Sequence, residues 1–220
     1  MKKLKTGLTL PALILLVALA GLASSPEAAR HDEMFESSSG AQDRAPHKKS
    51  KLTFEDRRAW REILKWPQDC EDDFGDHGAD YAGVEFYKLA EGKYLVEVEC
   101  EIAAYQSVKY YMLYNENVSP ATSKLLTFKT YGGENERSMV ETQTDSLLGV
   151  STFDQRQKRL TIFYKLRGFG DCGTIATYNL RGGKPVLTDF RAKLNCDGRG
   201  SKNPFRWKKI GPPVAKRQRR

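Results

Sequence analysis

The sequence predicts a mostly β protein, an antiparallel β-sandwich or barrel with one short N-terminal helix and disulfide stabilisation. Eight short runs of β-branched and aromatic residues follow residue 82, and turn residues separate them. Short strands with tight turns favour an antiparallel arrangement. Four cysteines follow an N-terminal segment that is typical of export, which predicts the disulfides.

Residues 1–23 are expected to form a signal peptide. Lys2, Lys3 and Lys5 precede an almost wholly apolar run of 15 residues, 8–22, and small residues follow it. A bilayer-spanning helix needs about 20 apolar residues, so an uncleaved membrane anchor is the less favoured alternative. The mature chain is therefore expected to be periplasmic or secreted, with no transmembrane segment.

The rest of the chain divides by composition. Residues 24–51 are polar and charged, with almost no large apolar side chains, and are expected to be a disordered linker. A β-rich domain is expected over 52–210, followed by a basic tail over 211–220. From residue 191 onward the chain has eleven Lys or Arg and one Asp, so the net charge of +8 belongs to the C-terminus. We interpret the tail as solvated, although anionic lipid headgroups and nucleic acids also bind such segments.

The domain is expected to begin with the short helix. Thr53 and Asp56 have the spacing of a capping box. Trp60 and Leu64 then share one helical face, and Pro67 ends the helix. The next segment, 69–80, has six carboxylates and His77. Its spacing lacks the register of a calcium loop, so we interpret it as a solvated acidic loop.

Strands are expected in order after this loop. They cover 84–89, 94–102, 108–114, 125–131, 147–153, 160–166, 174–180 and 185–190. A hairpin turn at Glu91-Gly92 joins the first two. Residues 94–102 alternate between apolar and acidic residues, so Glu97, Glu99 and Glu101 are expected to face solvent.

The glycines after the sixth strand match a nucleotide motif only superficially. Gly168, Gly170 and Gly173 fit the string G-x-G-x-x-G, but a dinucleotide site needs a helix directly afterwards. Residues 174–178 are β-branched and aromatic instead. We therefore interpret the glycines as a tight hairpin beside a cysteine, and no cofactor is expected.

Motifs for catalysis are missing from the sequence. There is no G-x-S-x-G or H-E-x-x-H string, and His77 is the only one of three histidines in the expected domain. No pair of acids stands out for glycoside hydrolysis. We assign no catalytic or metal-binding residue, favour a protein that is not an enzyme, and expect no nucleic-acid partner.

The four cysteines are Cys70, Cys100, Cys172 and Cys196. An even number in an exported chain favours two disulfides, for which three connectivities are possible. No C-x-x-C pair occurs, which argues against a zinc knuckle or a redox centre.

Residues 98–106, and three stretches between residues 149 and 198, resemble the bacterial domain of unknown function 1176 family. Cys100, Tyr105 and Gln106 are similar to its C-x-x-x-A-Y-[QN] motif. Residues 149–154, residues 168–173 and Cys196 are similar to its closing strand, its G-x-G-D-C-G turn and its final cysteine.

The resemblance implies an exported bacterial protein with a Cys172–Cys196 disulfide and, with it, a Cys70–Cys100 disulfide. It implies no established activity. Within the two motifs, our candidate binding residues are Tyr105, Gln106, Gly170 and Asp171.

Our leading hypothesis is an exported, monomeric envelope protein that binds an unknown envelope protein or a cell-wall ligand. Its motivation is the tyrosine content of the expected strands, since tyrosine packs on one side and presents a hydroxyl to a partner. These tyrosines are Tyr94, Tyr105, Tyr110, Tyr111 and Tyr114. The alternative is a hydrolase of cell-wall polymers with paired carboxylates.

Overall fold

The structure is a computed structural model, and it describes residues 54–74 and 81–212. The expected signal peptide, the linker and the tail beyond residue 212 lie outside the described residues. The helices are α1 (Phe54–Leu64) and α2 (Asp69–Phe74), with a 3-10 helix at Pro204–Arg206. The strands are β1 (Val84–Ala90), β2 (Lys93–Ala103), β3 (Gln106–Asn115), β4 (Thr122–Leu125), β5 (Phe128–Gly132), β6 (Val140–Thr144), β7 (Ser146–Asp154), β8 (Arg159–Lys165), β9 (Gly173–Asn179), β10 (Val186–Lys193) and β11 (Lys208–Gly211). The mostly β, antiparallel fold class is confirmed.

The strands form one large sheet and one separate hairpin. The large sheet has the order β1-β2-β3-β7-β8-β9-β10-β11, and β4 also pairs with β3. Strand β7 joins the two halves of this sheet, because residues 146–149 pair with β3 and residues 150–154 pair with β8. Gly149, with a φ of 148°, lies at the change of partner. The hairpin of β5 and β6 forms the second sheet.

One hydrophobic core lies between the helices and the first half of the sheet. Trp60 and Leu64 of α1 pack with Val96 and Val98 of β2 in this core. The indole of Trp60 also makes ring contacts with Phe86 and Tyr114, with centroids 4.5 and 5.5 Å apart. The apolar face of α1 is thus covered by the sheet, as its 3.6-residue periodicity requires.

A second core lies between the large sheet and the β5–β6 hairpin. Phe128 of β5 packs against Tyr111 of β3 and Tyr178 of β9, with centroids 5.4 and 5.0 Å apart. The Tyr178 hydroxyl donates to the Lys129 carbonyl at 3.0 Å. Burial raises the pKa of the Tyr178 hydroxyl, so the group stays protonated as a donor. The hairpin is thereby fixed over the large sheet as a second layer.

The acidic segment after α1 is more ordered than the sequence indicates. Its first half is helix α2, with Cys70 and Phe74 buried, and its second half, 75–80, lies outside the described residues. The buried Arg57 guanidinium donates to Glu71 at 2.9 Å and lies 3.7 Å from the centroid of the Phe74 ring. A six-residue helix is unstable alone, so these tertiary contacts hold it.

The expected strand at 125–131 is interrupted, and two further strands were not predicted. Strands β4 and β5 replace the single strand, with Leu126 and Thr127 between them. Strand β6 is mostly exposed and polar, and β11 follows the 3-10 helix. Neither strand has an alternation of apolar residues that would predict it. Backbone pairing with β5 and β10 holds these strands in place.

The prediction that Glu97 faces solvent is wrong. Glu97 is only 6% exposed, because the second layer covers the face that the glutamates were expected to present to water. Glu99 is half-buried and Glu101 is exposed, so the cover ends along the strand. Alternation identifies the two faces of a strand but does not say whether both are covered.

Two disulfides, Cys70–Cys100 and Cys172–Cys196, join the four cysteines, which is the pairing that the resemblance implies. The first ties α2 to β2, and the second ties the loop before β9 to the segment after β10. Structural disulfides are typical of proteins outside the cytoplasm. In the described part of the chain, neither helix has the length and hydrophobicity needed to span a bilayer.

Candidate functional site

A groove of about 690 Å³ lies between the β5–β6 hairpin and the second half of the large sheet. Its floor includes Ile162, Ala176 and Phe190, and Tyr131 and Leu148 stand at its sides. Small-molecule sites generally have volumes of about 300–1,000 Å³ and are mostly apolar. The groove therefore has the size and lining of a ligand site.

The groove arises where the side chains between the two layers become smaller. The cross-strand pairs of β8 and β9 on this face are Leu160–Tyr178, Ile162–Ala176 and Tyr164–Thr174. Phe128 packs on Tyr178 and fills the space above the first pair. Ala176 has only a methyl group, so the space above the second pair is not filled. The core thus becomes an open groove along the same two strands.

Polar groups in the groove are mostly hydroxyls. Thr130 and Thr144 come from the hairpin, and Ser146 and Thr174 come from the large sheet. Among the described residues that line the groove, Glu134 is the only carboxylate. A hydrolase with paired carboxylates needs a second acid at about 5–9 Å, which this lining does not supply.

The side chain of the candidate residue Gln106 makes two hydrogen bonds to the backbone of Lys165. Its side-chain amide donates to the Lys165 carbonyl at 3.2 Å and accepts from the Lys165 N–H at 3.0 Å. The β2–β3 turn is thereby attached to the end of β8. Tyr105, in that turn, is exposed, and its ring lies beside Gly168, where an added Cβ would be 3.7 Å from Tyr105 Cδ1.

Gly170 and Asp171 shape the loop between β8 and β9. Gly170 has a φ of 65°, and its N–H donates to the Arg167 carbonyl at 2.9 Å. Asp171 accepts from Arg167 Nε at 2.7 Å, and this guanidinium lowers the pKa of the Asp171 carboxyl to about 2. The ion pair is therefore present throughout the physiological pH range. Strand β9 follows directly, as the hairpin interpretation of the glycines requires.

The structure brings these four candidate residues to one end of the large sheet, together with one residue that the sequence analysis missed. Phe169 is 91% exposed between Gly168 and Gly170. The sequence signal that could have identified Phe169 is a large apolar side chain flanked by two glycines in an expected turn. Leu166, at the start of the same loop, also lines the groove.

Most of the five tyrosines that motivated a binding surface are covered by the rest of the fold. Tyr111 and Tyr114 are buried in the two cores, and Tyr94 and Tyr110 are half-buried. Tyr105 is the one of the five that is exposed. Three other tyrosines, Tyr131, Tyr164 and Tyr178, line the groove and were not singled out in the sequence.

Polar side chains of β2, β3 and β7 form a buried cluster. Lys109 Nζ donates to Glu97 Oε1 and to Ser151 Oγ, each at 2.6 Å. The hydroxyls of Ser151 and Tyr111 donate to Glu97 at 2.9 and 3.0 Å. Burial raises the pKa of Tyr111 well above its usual range, so its hydroxyl remains a donor.

This cluster resembles a nucleophile beside a base, but its hydrogen bonds point to a structural role. A base needs a free lone pair to activate serine. Here the lysine nitrogen donates to Ser151 and to a carboxylate, and the Ser151 hydroxyl donates to that same carboxylate. Both groups are thus used as donors, and the cluster satisfies a buried charge.

Comparison with known proteins gives one family and no individual relative. No curated protein and no solved structure matches the chain significantly. The family model described as "Protein of unknown function (DUF1176)" matches residues 24–210. That match includes both disulfides, the groove and the loop with Phe169. The chain therefore belongs to the DUF1176 family of proteins of unknown function.

Proposed function

We propose that this protein is an exported, monomeric binding module and that its groove takes a small, largely apolar ligand of the bacterial envelope. In this proposal residues 1–23 are a removed signal peptide, 24–51 a linker, 52–210 the binding domain and 211–220 a basic tail. The periplasm or the exterior is its compartment. The two disulfides support export, because such bonds persist in oxidising surroundings.

The groove above Ala176 is the observation that carries the proposal. Apolar side chains of Ile162, Phe190 and Leu148 provide contact area for an apolar ligand body, whose burial supplies the main binding free energy. The hydroxyls of Thr144 and Ser146 at its side offer hydrogen bonds for one polar group. The fitting ligand is an aromatic or aliphatic molecule with a hydrogen-bonding end.

Replacing Leu148 by Arg is expected to weaken binding to the groove at least about tenfold. The side chain is 39% exposed, so Arg can be accommodated without unfolding while its bulk and charge occupy the groove. The dissociation constant of a neutral apolar fluorophore, N-phenyl-1-naphthylamine, measures the effect.

Val150→Arg is the matched control. Val150 is also 39% exposed and lies two residues further along β7, but it faces a different surface depression, beside Thr161 and Phe163. This variant is expected to bind the fluorophore as the wild type does. Equal losses in the two variants, or no binding by the wild type, would contradict the proposed function.

A further inference from the structure

The loop between β8 and β9 holds an aromatic side chain out of the protein. Phe169 is 91% exposed, more than any other large hydrophobic residue in the described part of the chain. Removing a phenylalanine ring from water is favourable, so a fold ordinarily covers such a ring. A partner that covers this ring would gain favourable binding free energy from removing it from water.

The exposure of Phe169 does not result from a loosely held loop. Cys172 is joined to Cys196, and the Leu166 N–H donates to the Cys172 carbonyl at 3.2 Å. Arg167 and Asp171 form an ion pair across the loop. The loop is therefore ordered before any partner arrives, and binding through Phe169 has little ordering entropy to overcome.

Other exposed apolar side chains lie at this end of the sheet. Tyr105 lies beside Gly168, and Ile102 and Leu166 are also exposed. We call Ile102, Tyr105, Leu166 and Phe169 the aromatic tip. Exposed apolar side chains grouped at one end of a fold are typical of an interaction site.

Cations flank the aromatic tip. The two segments joined by the Cys172–Cys196 disulfide, 165–172 and 193–200, have four Lys or Arg and two Asp. Asp171 is paired with Arg167, and Asp197 lies 3.6 Å from Lys193. The segment 101–106, which carries Ile102 and Tyr105, adds Glu101, so the three segments together have a net charge of +1. The tip therefore projects from a surface with a net positive charge.

We propose that the aromatic tip docks the protein onto an anionic lipid bilayer, with Phe169 inserted into the headgroup region. A projecting ring can be covered either by a pocket in a partner or by a medium that deforms around it. A bilayer interface deforms in this way. Apolar and amphipathic rings enter this interface while flanking Lys and Arg side chains contact anionic headgroups. The proposal does not depend on a ligand in the groove.

Sedimentation with lipid vesicles tests the proposal. Each variant is made as the full chain and purified after processing, so the basic tail is the same in all of them. With vesicles of phosphatidylcholine and about 30% phosphatidylglycerol, Phe169→Ser is expected to lower the partition coefficient about tenfold. Phe169→Trp is expected to equal or exceed the wild type, because Trp favours the bilayer interface.

Val186→Ser is the matched control for loss of an exposed apolar side chain. Val186 is 58% exposed and begins β10, whereas Lys193, one of the cations that flank the tip, ends this strand about 20 Å away. The control is expected to partition as the wild type does, and all variants are expected to keep the wild-type melting temperature.

Four results would overturn the proposal. The first is equal partitioning of Phe169→Ser and Val186→Ser, and the second is no binding of the wild type to anionic vesicles. The third is a dimer in analytical ultracentrifugation that dissociates in Phe169→Ser, because the tip would then bind a second copy of the chain. Binding that persists on pure phosphatidylcholine would remove the role of the flanking cations and overturn the anionic specificity.

Discussion

Replacing Lys109 by Met is expected to lower the free energy of unfolding by about 3–5 kcal/mol. The Lys109 ammonium lies 2.6 Å from Glu97, and both side chains are buried. Without the lysine, the Glu97 carboxylate stays buried and keeps only the hydroxyls of Ser151 and Tyr111 as donors. Urea unfolding at neutral pH, with the midpoint and slope fitted together, measures the loss.

Lys129→Met is the control for the loss of an ion pair as such. Lys129 and Glu141 are also 2.6 Å apart, but both side chains are substantially exposed. Water solvates the remaining Glu141 carboxylate, so the expected loss is below about 1 kcal/mol. Equal losses in the two variants would show that burial of the Glu97–Lys109 pair is energetically irrelevant.

The double variant Lys109→Met/Glu97→Gln separates the cost of an unpaired charge from lost packing. The amide that replaces the Glu97 carboxylate would be neutral. Ser151 and Tyr111 bond different carboxylate oxygens, so the amide oxygen would accept from one hydroxyl and the amide NH2 would donate to the other. We therefore expect the double variant to be more stable than Lys109→Met alone. If the double variant is less stable by the sum of two independent losses, packing and not charge dominates.

Replacing Gly173 by Ala is expected to lower the free energy of unfolding by more than about 2 kcal/mol. Gly173 has a φ of 143°, a region that residues with a Cβ rarely adopt. An added Cβ would lie 1.9 Å from the Tyr164 carbonyl oxygen, so β8 and β9 would have to separate. The substitution strains the strand pair that forms the floor of the groove.

Gly182→Ala provides the comparison at the other end of β9. An added Cβ at Gly182 would meet no atom within 4 Å. Its effect is expected to stay within about 0.5 kcal/mol, which is usual for surface substitutions. The two variants are compared by urea unfolding, and a similar midpoint for both would contradict the close approach of β8 and β9 at Gly173.

Local sequence signals predicted the elements with strong patterns. The alternation in 94–102 corresponds to β2, and Glu91-Gly92 is the turn between β1 and β2. The glycines at 168–173 form a loop between two strands, as the β-branched residues after them indicate. These features depend on backbone preferences within a few residues, which is why a single sequence shows them.

Features without a local pattern were not predictable in this way. Helix α2 depends on Arg57 and on the Cys70–Cys100 disulfide, which connect it to distant segments. Strand β6 is polar and exposed, and only its pairing with β5 defines it. The groove depends on the small side chain of Ala176 lying between two layers, which no spacing along the chain reveals.

The sequence by itself determined that the chain is mostly β and where most of its strands and turns lie, because these follow from short-range preferences. It also identified the turn and loop that hold Tyr105 and Gly170. Only the tertiary structure decided that Glu97 is buried, that four of the five strand tyrosines are wholly or partly covered, and that Phe169 projects outward. Burial is decided by contacts between segments far apart in the chain, and such contacts leave no periodic pattern in any one segment.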